Sequence, residues 1–152
     1  MSNKIEKSEG EVKFYEAIKG HSKDVSIILK CHLLAEYFLD QLILICLPRG
    51  DIIIDKRDYS FATKLTIVQA LNVLTDELVT SLRNLNKVRN NCSHQMDYEI
   101  TENDIDLIGR PFGKEHSRTK QKFRKKRELL EQTLMRTIAY LESDYQNILK
   151  SQ

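Results

Sequence analysis

Apolar residues recur every three to four positions along most of the chain, which is the period of an α-helix with one buried face. The longest such segment begins at a capping residue, Ser22 or Asp24, and runs to about Leu47, where Pro48 and Gly50 end it. Near its end it is apolar on more than one side, which is typical of a helix in a core or a helix–helix interface. Its apolar side holds Val25, Ile28, Leu29, His32, Leu33, Tyr37, Leu39, Leu42 and Ile43.

The remaining patterns predict shorter helices and one long one. Residues 51–55 could form a short strand, but the chain offers no partner strand, so we interpret them as an ordered connector. The other segments are a weakly amphipathic opening over 4–19, a third helix from Ser60 or Thr63 to Val73, a fourth over 76–88, a short helix from the capping box at 101–104 to Gly109, and a closing helix over about 115–150.

Length and composition agree with a helical domain. A chain of 152 residues is the size of one domain. Five glycines and two prolines are too few for the many turns of a β-sandwich or barrel. We therefore expect a single all-α domain over residues 1–152, built as a bundle of about five to six helices.

Several classes of protein are excluded by what the sequence lacks. The three cysteines are odd in number and form no CxxC pair, which disfavours a disulfide framework and a cysteine zinc site. The longest apolar run, Leu42 to Leu47, is far below the roughly 20 residues that span a bilayer. The polar first ten residues resemble no signal peptide. We expect a cytoplasmic protein with no membrane association, and no motif predicts a cofactor or a metal.

The positive charge is concentrated in one segment. Eight of the fourteen residues from Lys114 to Arg127 are Lys or Arg, although the net charge of the whole chain is only +2. Such a run can be a solvated helix face, a surface for RNA phosphates, or a contact for an acidic partner. The candidate RNA-binding residues are Lys120, Lys122, Arg124, Lys125, Lys126 and Arg127.

The most informative motif is the polar stretch 89–95, which follows the fourth predicted helix. It contains Asn90, Asn91 and Ser93, whose short polar side chains compete for backbone hydrogen bonds and disfavour a helix interior. The simplest interpretation is a helix end that leaves an ordinary exposed histidine, His94.

A second interpretation comes from a resemblance. Arg89-Asn90-x-x-x-His94 resembles the R-x(4–6)-H signature of the HEPN superfamily. Its context strengthens the likeness, because the helix His32–Ile43, then Phe61-x-x-Lys64 with Ala70-Leu71, then Leu82-x-x-Leu85-Asn86 occur in the order seen in HEPN proteins similar to the mannitol-operon repressor. The similarity covers about residues 25–100.

The resemblance implies a dimeric helical bundle in which the motifs of two subunits face one cleft. Many HEPN proteins are metal-independent endoribonucleases of toxin–antitoxin, abortive-infection or CRISPR systems, and others bind nucleotides, RNA or proteins without cleavage. It also implies that Glu36 holds the motif arginine, as an early acidic residue does in some members; the alternative is an ordinary exposed helix glutamate. One departure stands out: where toxins of this type often carry a modified tyrosine, this chain has Met96, with Tyr98 two residues later.

The residue types of the motif suit RNA cleavage without a metal. His94 can act as an acid or a base near neutral pH. Arg89 can grip two phosphoryl oxygens, and Asn90 can orient His94 or donate to the phosphate. On an unbroken helix Arg89 and His94 lie about 140° apart and cannot share one face. Either the helix breaks at Asn90-Asn91, or the two side chains meet through a second subunit.

Three other residues near the motif have structural interpretations. We expect Lys64 to pack its stem beside Phe61, His32 to be a satisfied core histidine, and Cys92 to fill space without reacting.

Two functions from different classes follow. The first is a HEPN-type endoribonuclease that acts as a toxin or in phage defence, with RNA, a second copy, and an antitoxin or operon-encoded protein as partners. The alternative is a non-catalytic HEPN dimer that regulates transcription or binds protein or RNA. A third interpretation is a plain helical module that binds nucleic acid through the basic segment.

Overall fold

The structure is a computed structural model that describes residues 9–12, 24–56, 58–95 and 97–152. Residues 9–12 are helical, and the predicted opening helix otherwise lies outside the described residues. The remaining helices are α1 (Asp24–Cys46), α2 (Gly50–Asp55), α3 (Phe61–Ala70), α4 (Asp76–His94), α5 (Glu102–Gly109), a 3₁₀ turn (Arg110–Phe112), α6 (Lys114–Lys122) and α7 (Lys126–Lys150).

The prediction of an all-α protein is confirmed, because the described residues form helices and no strand. None of these helices combines the length and the hydrophobicity that crossing a membrane requires. Three of them begin where the sequence supplies a cap. The side chains of Ser60, Thr75 and Thr101 accept hydrogen bonds from the backbone of the first helical turn. Thr101 and Asp104 form the predicted capping box.

Helix α1 is the centre of the bundle. It packs against α7, α3, α4 and α2, so side chains on several of its sides are buried. This arrangement explains why its sequence is apolar nearly all round. The core also contains the inward faces of α4 and α7; its fully buried members include Ile27, Leu39, Leu42, Leu78, Leu82, Leu85, Leu130, Leu134 and Ile138.

The structure refines one prediction near α2 and α3 and corrects another. The ordered connector over residues 51–55 is the short helix α2. Helix α3 ends at Ala70 and not at Val73. Asn72 has a positive φ of 55°, a left-handed conformation that Asn tolerates better than most residues and that a helix cannot continue through.

The predicted closing helix over 115–150 is also wrong, because it is two helices. Phe123 and Lys125 have extended backbones between α6 and α7. Helix α6 lies back along α7, with Tyr140 donating to Glu115 and Arg136 donating to Thr119. A continuous helix would also place like charges four residues apart, at Lys120 with Arg124 and at Lys122 with Lys126, where they repel. Tertiary packing and like-charge repulsion therefore both favour the break.

Helix α4 is longer than predicted, since it continues from Val88 to His94. Val88 is buried and Cys92 packs against the core, so the polar segment keeps a helical pattern of inward-facing side chains. Ser93 satisfies its hydroxyl locally by donating to the carbonyl oxygen of Arg89. The helix does not break at Asn90-Asn91.

One close contact fixes α6 against α5. A Cβ atom added to Gly109 would lie 2.1 Å from Nδ1 of His116, which is buried and bonded through Nε2 to Asp106 at 2.8 Å. We therefore expect Gly109→Ala to lower the free energy of unfolding by about 1–3 kcal/mol, because the ring has to move. Urea denaturation measures this change.

The double variant Gly109→Ala with His116→Ala is the control for this prediction. Removing the ring should relieve the overlap, so the two single losses should not add. Additive losses would show that the contact with His116 is not the cause.

Candidate active site

The motif arginine lies in the wall of a cavity of about 320 Å³. Helices α1, α3 and α4 form its walls, and Ser60 and Ala62 are exposed at its rim. Arg89 and Asn90 are half-buried, so their polar ends lie within reach of solvent. The lining residues are His32, Glu36, Ser60, Phe61, Ala62, Asn86, Arg89 and Asn90.

Glu36 is paired with a lysine rather than with the motif arginine. Nζ of Lys64 lies 3.0 Å from Glu36 and 2.8 Å from Asp40. Burial acts to lower the pKa of Lys64, but the hydrogen bonds to Asp40 and Glu36 outweigh it and raise the pKa. Lys64 is thus a buried structural cation, in line with its expected role, and Glu36 is one wall of the cavity whose charge Lys64 offsets.

The positive charge of Arg89 is not neutralised by an ion pair with a described residue. Its one hydrogen bond to a described side chain is from Nη1 to Oδ1 of Asn90, at 3.2 Å. No carboxylate in the described part of the chain forms an ion pair with it. A half-buried guanidinium without a carboxylate partner, in a cavity, is suited to bind an anion such as a phosphate.

His94 does not line this cavity. It is exposed at the last residue of α4, five residues after Arg89 on a continuous helix. Five residues turn the helix by about 140°, so the side chains leave it on different sides. Arg89 and His94 could meet in one site through a break in the helix or through a second subunit. Because α4 has no break, the second subunit is the way that remains.

The chain just after His94 is held by Tyr98. Its hydroxyl lies 2.9 Å from both carboxylate oxygens of Asp104, which forms the capping box of α5 with Thr101. Burial and the Asp104 carboxylate raise the pKa of Tyr98, so the phenol stays protonated as a donor. Burial also raises the pKa of Cys92 to about 11, which agrees with a thiol that fills space and does not react.

His32 is the site residue whose position the sequence did not reveal. It is buried and hydrogen-bonded as expected. Its Nε2 lies 2.9 Å from Oδ1 of Asn86, and the centroid of its ring lies 4.1 Å from that of the Phe61 ring. However, it also lines the Arg89 cavity. The sequence shows only a spacing that agrees with this position. His32 and Glu36 are four residues apart and so share one face of a helix, and Asn86 and Asn90 do the same on another.

The six candidate RNA-binding residues fall into two groups. Lys120, Lys126 and Arg127 pair with acidic side chains, Asp106 for the first and Asp24 for the other two. The pKa of Asp106 is lowered because the hydrogen bonds from Lys120 and His116 outweigh its burial. Lys122, Arg124 and Lys125 are exposed and form no ion pair with a described residue.

A neighbour of these free cations contacts the connection between α4 and α5. Lys126, which follows them, donates to the carbonyl oxygen of Ile100 at 2.9 Å, six residues beyond His94. The linker between α6 and α7 is therefore tied to the segment that follows His94. We call the last residue of α6, Lys122, together with Arg124 and Lys125 that follow it, the basic linker.

A larger cavity, of about 410 Å³, lies between the 3₁₀ turn, the start of α4 and α7. Three carboxylates line it, Glu77, Glu115 and Asp144, together with Phe112 and Tyr140. Burial raises the pKa of Asp144. Its acidic lining would repel a phosphate, so the smaller cavity is the better candidate for an RNA site even though it has less volume.

In the described residues, no three metal-ligating side chains (His, Cys, Asp or Glu) come together as a group that could hold a metal ion. Comparison of the chain with models of known protein families, with curated proteins and with solved structures gives no match.

Proposed function

We propose that this protein is a HEPN-type endoribonuclease that cleaves RNA without a metal. The observation that carries the proposal is the guanidinium of Arg89, which lies in a cavity with Asn90 and has no carboxylate partner among the described residues. Arg89 binds the scissile phosphate and stabilises the charge that grows on it, while His94 transfers a proton. The reaction is attack by the 2′-hydroxyl, and the setting is toxin activity or phage defence in the cytoplasm.

The proposed active form is a dimer. On the continuous α4 the side chains of Arg89 and His94 leave the helix about 140° apart, which favours a site that joins Arg89 of one copy to His94 of another. An apolar stripe of α1 carries the proposed contact: Leu33 and Leu44 lie on one side of the helix, and their side chains are 64% and 41% exposed. Leu33 is three residues before Glu36, so the stripe borders the cavity.

We expect Leu33→Lys to separate the dimer, because it places charge in an apolar contact. Light scattering at micromolar concentration should change from twice the chain mass of 17.8 kDa to that mass, and cleavage should be lost with it. Ile52→Lys is the matched control, since Ile52 is an exposed apolar residue on α2. A wild-type protein that is already a monomer would contradict the shared site.

The basic linker is the proposed RNA surface. Replacing Lys122, Arg124 and Lys125 by alanine should weaken binding of single-stranded RNA and reduce the slope of log K against log salt by about 2, roughly 0.7 for each lost phosphate contact. Fluorescence anisotropy across a salt series measures the slope.

The control for the linker removes the same charge elsewhere, at exposed Lys56, Arg110 and Lys150. It should leave the slope unchanged. Equal effects of the two triple variants would show that net charge alone, and not the linker, attracts RNA.

The test of the function is an RNA cleavage assay in excess EDTA. We expect products with a 2′,3′-cyclic phosphate and a 5′-hydroxyl, since no metal takes part in the proposed chemistry. Absence of cleavage on any RNA, together with tight binding to operator DNA or to a partner protein, would favour the alternative of a non-catalytic regulator.

A further inference from the structure

The Arg89 cavity contains a histidine of its own. His32 is 4% exposed, and its ring is fixed by two contacts: its centroid lies 4.1 Å from the centroid of the Phe61 ring, and Nε2 lies 2.9 Å from Oδ1 of Asn86. Both of these partners also line the cavity. The imidazole is therefore held in one orientation in the cavity that Arg89 also lines.

The hydrogen bond to Asn86 determines the tautomer. An amide oxygen can only accept, so Nε2 of His32 carries the proton and donates it. The lone pair is then on Nδ1, which is the atom of a neutral imidazole that takes up a proton. Asn86 thus fixes the orientation of the His32 ring and leaves Nδ1 able to act as a base.

The charges around His32 keep the ring neutral. Burial is the main cause that lowers its pKa, and the Arg89 guanidinium on α4 lowers it further. The hydrogen bond to Asn86 and the Glu36 carboxylate on α1 act in the opposite direction, but Lys64 on α3 is paired with Glu36. At neutral pH the ring is uncharged and able to accept a proton.

We propose that His32 is the general base of the cleavage reaction and that His94 from a second copy is the general acid. This inference rests on the proposed function and assigns the second proton transfer that the motif alone leaves without a residue. Nδ1 of His32 removes the proton of the 2′-hydroxyl, and O2′ forms a bond to phosphorus. The bond from phosphorus to O5′ breaks, and protonated His94 gives its proton to O5′. Arg89 holds the phosphate between the two histidines.

The test compares two substrates that differ in their leaving group. RNA cleavage needs both a base and an acid, because the 5′-alkoxide has to be protonated. A nucleoside 3′-(p-nitrophenyl phosphate) needs only the base, since p-nitrophenolate leaves without a proton. We expect His32→Gln to lose at least 100-fold in kcat/KM on both substrates. We expect His94→Gln to lose at least 100-fold on RNA and less than 10-fold on the activated ester.

Gln is chosen at position 32 because its amide can still donate to Asn86 but cannot accept a proton at neutral pH. Circular dichroism shows whether each variant is folded. A second variant, His32→Ala, opens a ring-sized space, and added imidazole should restore at least 10-fold of the lost activity. A purely structural role for His32 would not produce this rescue. In the wild type, the acidic limb of kcat/KM should fall below the ordinary histidine pKa of about 6.5.

Three outcomes would overturn the proposal. His32→Gln with wild-type kcat/KM on the activated ester would remove His32 as the base while leaving the ribonuclease function in place. The same conclusion follows if imidazole fails to rescue folded His32→Ala. If the wild type cleaves neither substrate, the proposed function itself fails and the assignment of His32 fails with it.

Discussion

His94→Ala should abolish RNA cleavage while leaving the fold intact. The side chain is exposed at the end of α4 and makes no hydrogen bond with a described residue, so its loss should change the free energy of unfolding by less than about 0.5 kcal/mol. Its proposed proton transfer contributes about 10²–10⁴-fold to the rate. A gel-based cleavage assay and a thermal melt of the same preparation separate the two effects.

Arg89→Lys is the companion variant and should also be inactive. A lysine keeps the positive charge but offers a point charge in place of the planar guanidinium, which grips two phosphoryl oxygens at once. If charge alone were needed, Arg89→Lys would retain most of the activity and Arg89→Gln would not. Cleavage that survives in His94→Ala would remove His94 from the mechanism.

The local parts of the fold could be predicted from the sequence. The caps at Ser60 and Thr101 depend on residues three positions apart, and the chain shows those directly. The burial of α1 follows from its apolar pattern in the same way. These features require no knowledge of what packs against each helix.

The predictions that were wrong concern features that depend on contacts between residues distant in sequence. The break at Phe123 occurs where α6 lies back on Arg136 and Tyr140, and the periodicity of the closing segment does not contain that contact. The continuation of α4 past Val88 depends on a core that receives Cys92. In both cases tertiary packing overrides the propensity of the local residues.

The candidate site also has one part that the sequence predicts and another that depends on contacts between helices. Arg89, Asn90 and His94 could be singled out because they are adjacent in sequence. His32 could be predicted as buried but not as a cavity wall, because Asn86 and Phe61 come to it from two other helices. The pairing of Glu36 with Lys64, in place of Arg89, is likewise visible only in three dimensions.

The strongest test of the shared site is complementation between two inactive variants. Arg89→Ala keeps His94, and His94→Ala keeps Arg89. In a heterodimer of the two, one composite site regains both side chains and the other lacks both. Random mixing of equal amounts makes about half of the dimers heterodimers, each with one of two sites intact, so about one quarter of the wild-type activity should return.

Each variant mixed with itself is the control and should stay inactive. The experiment separates the geometries sharply, because a site formed within one chain would need Arg89 and His94 from the same α4, and no mixture could restore it. The rise of activity should follow subunit exchange and should disappear when Leu33→Lys is added to both variants, since that change separates the copies. Recovery that persists in the monomeric background would show that contact through Leu33 is not what joins the two halves of the site.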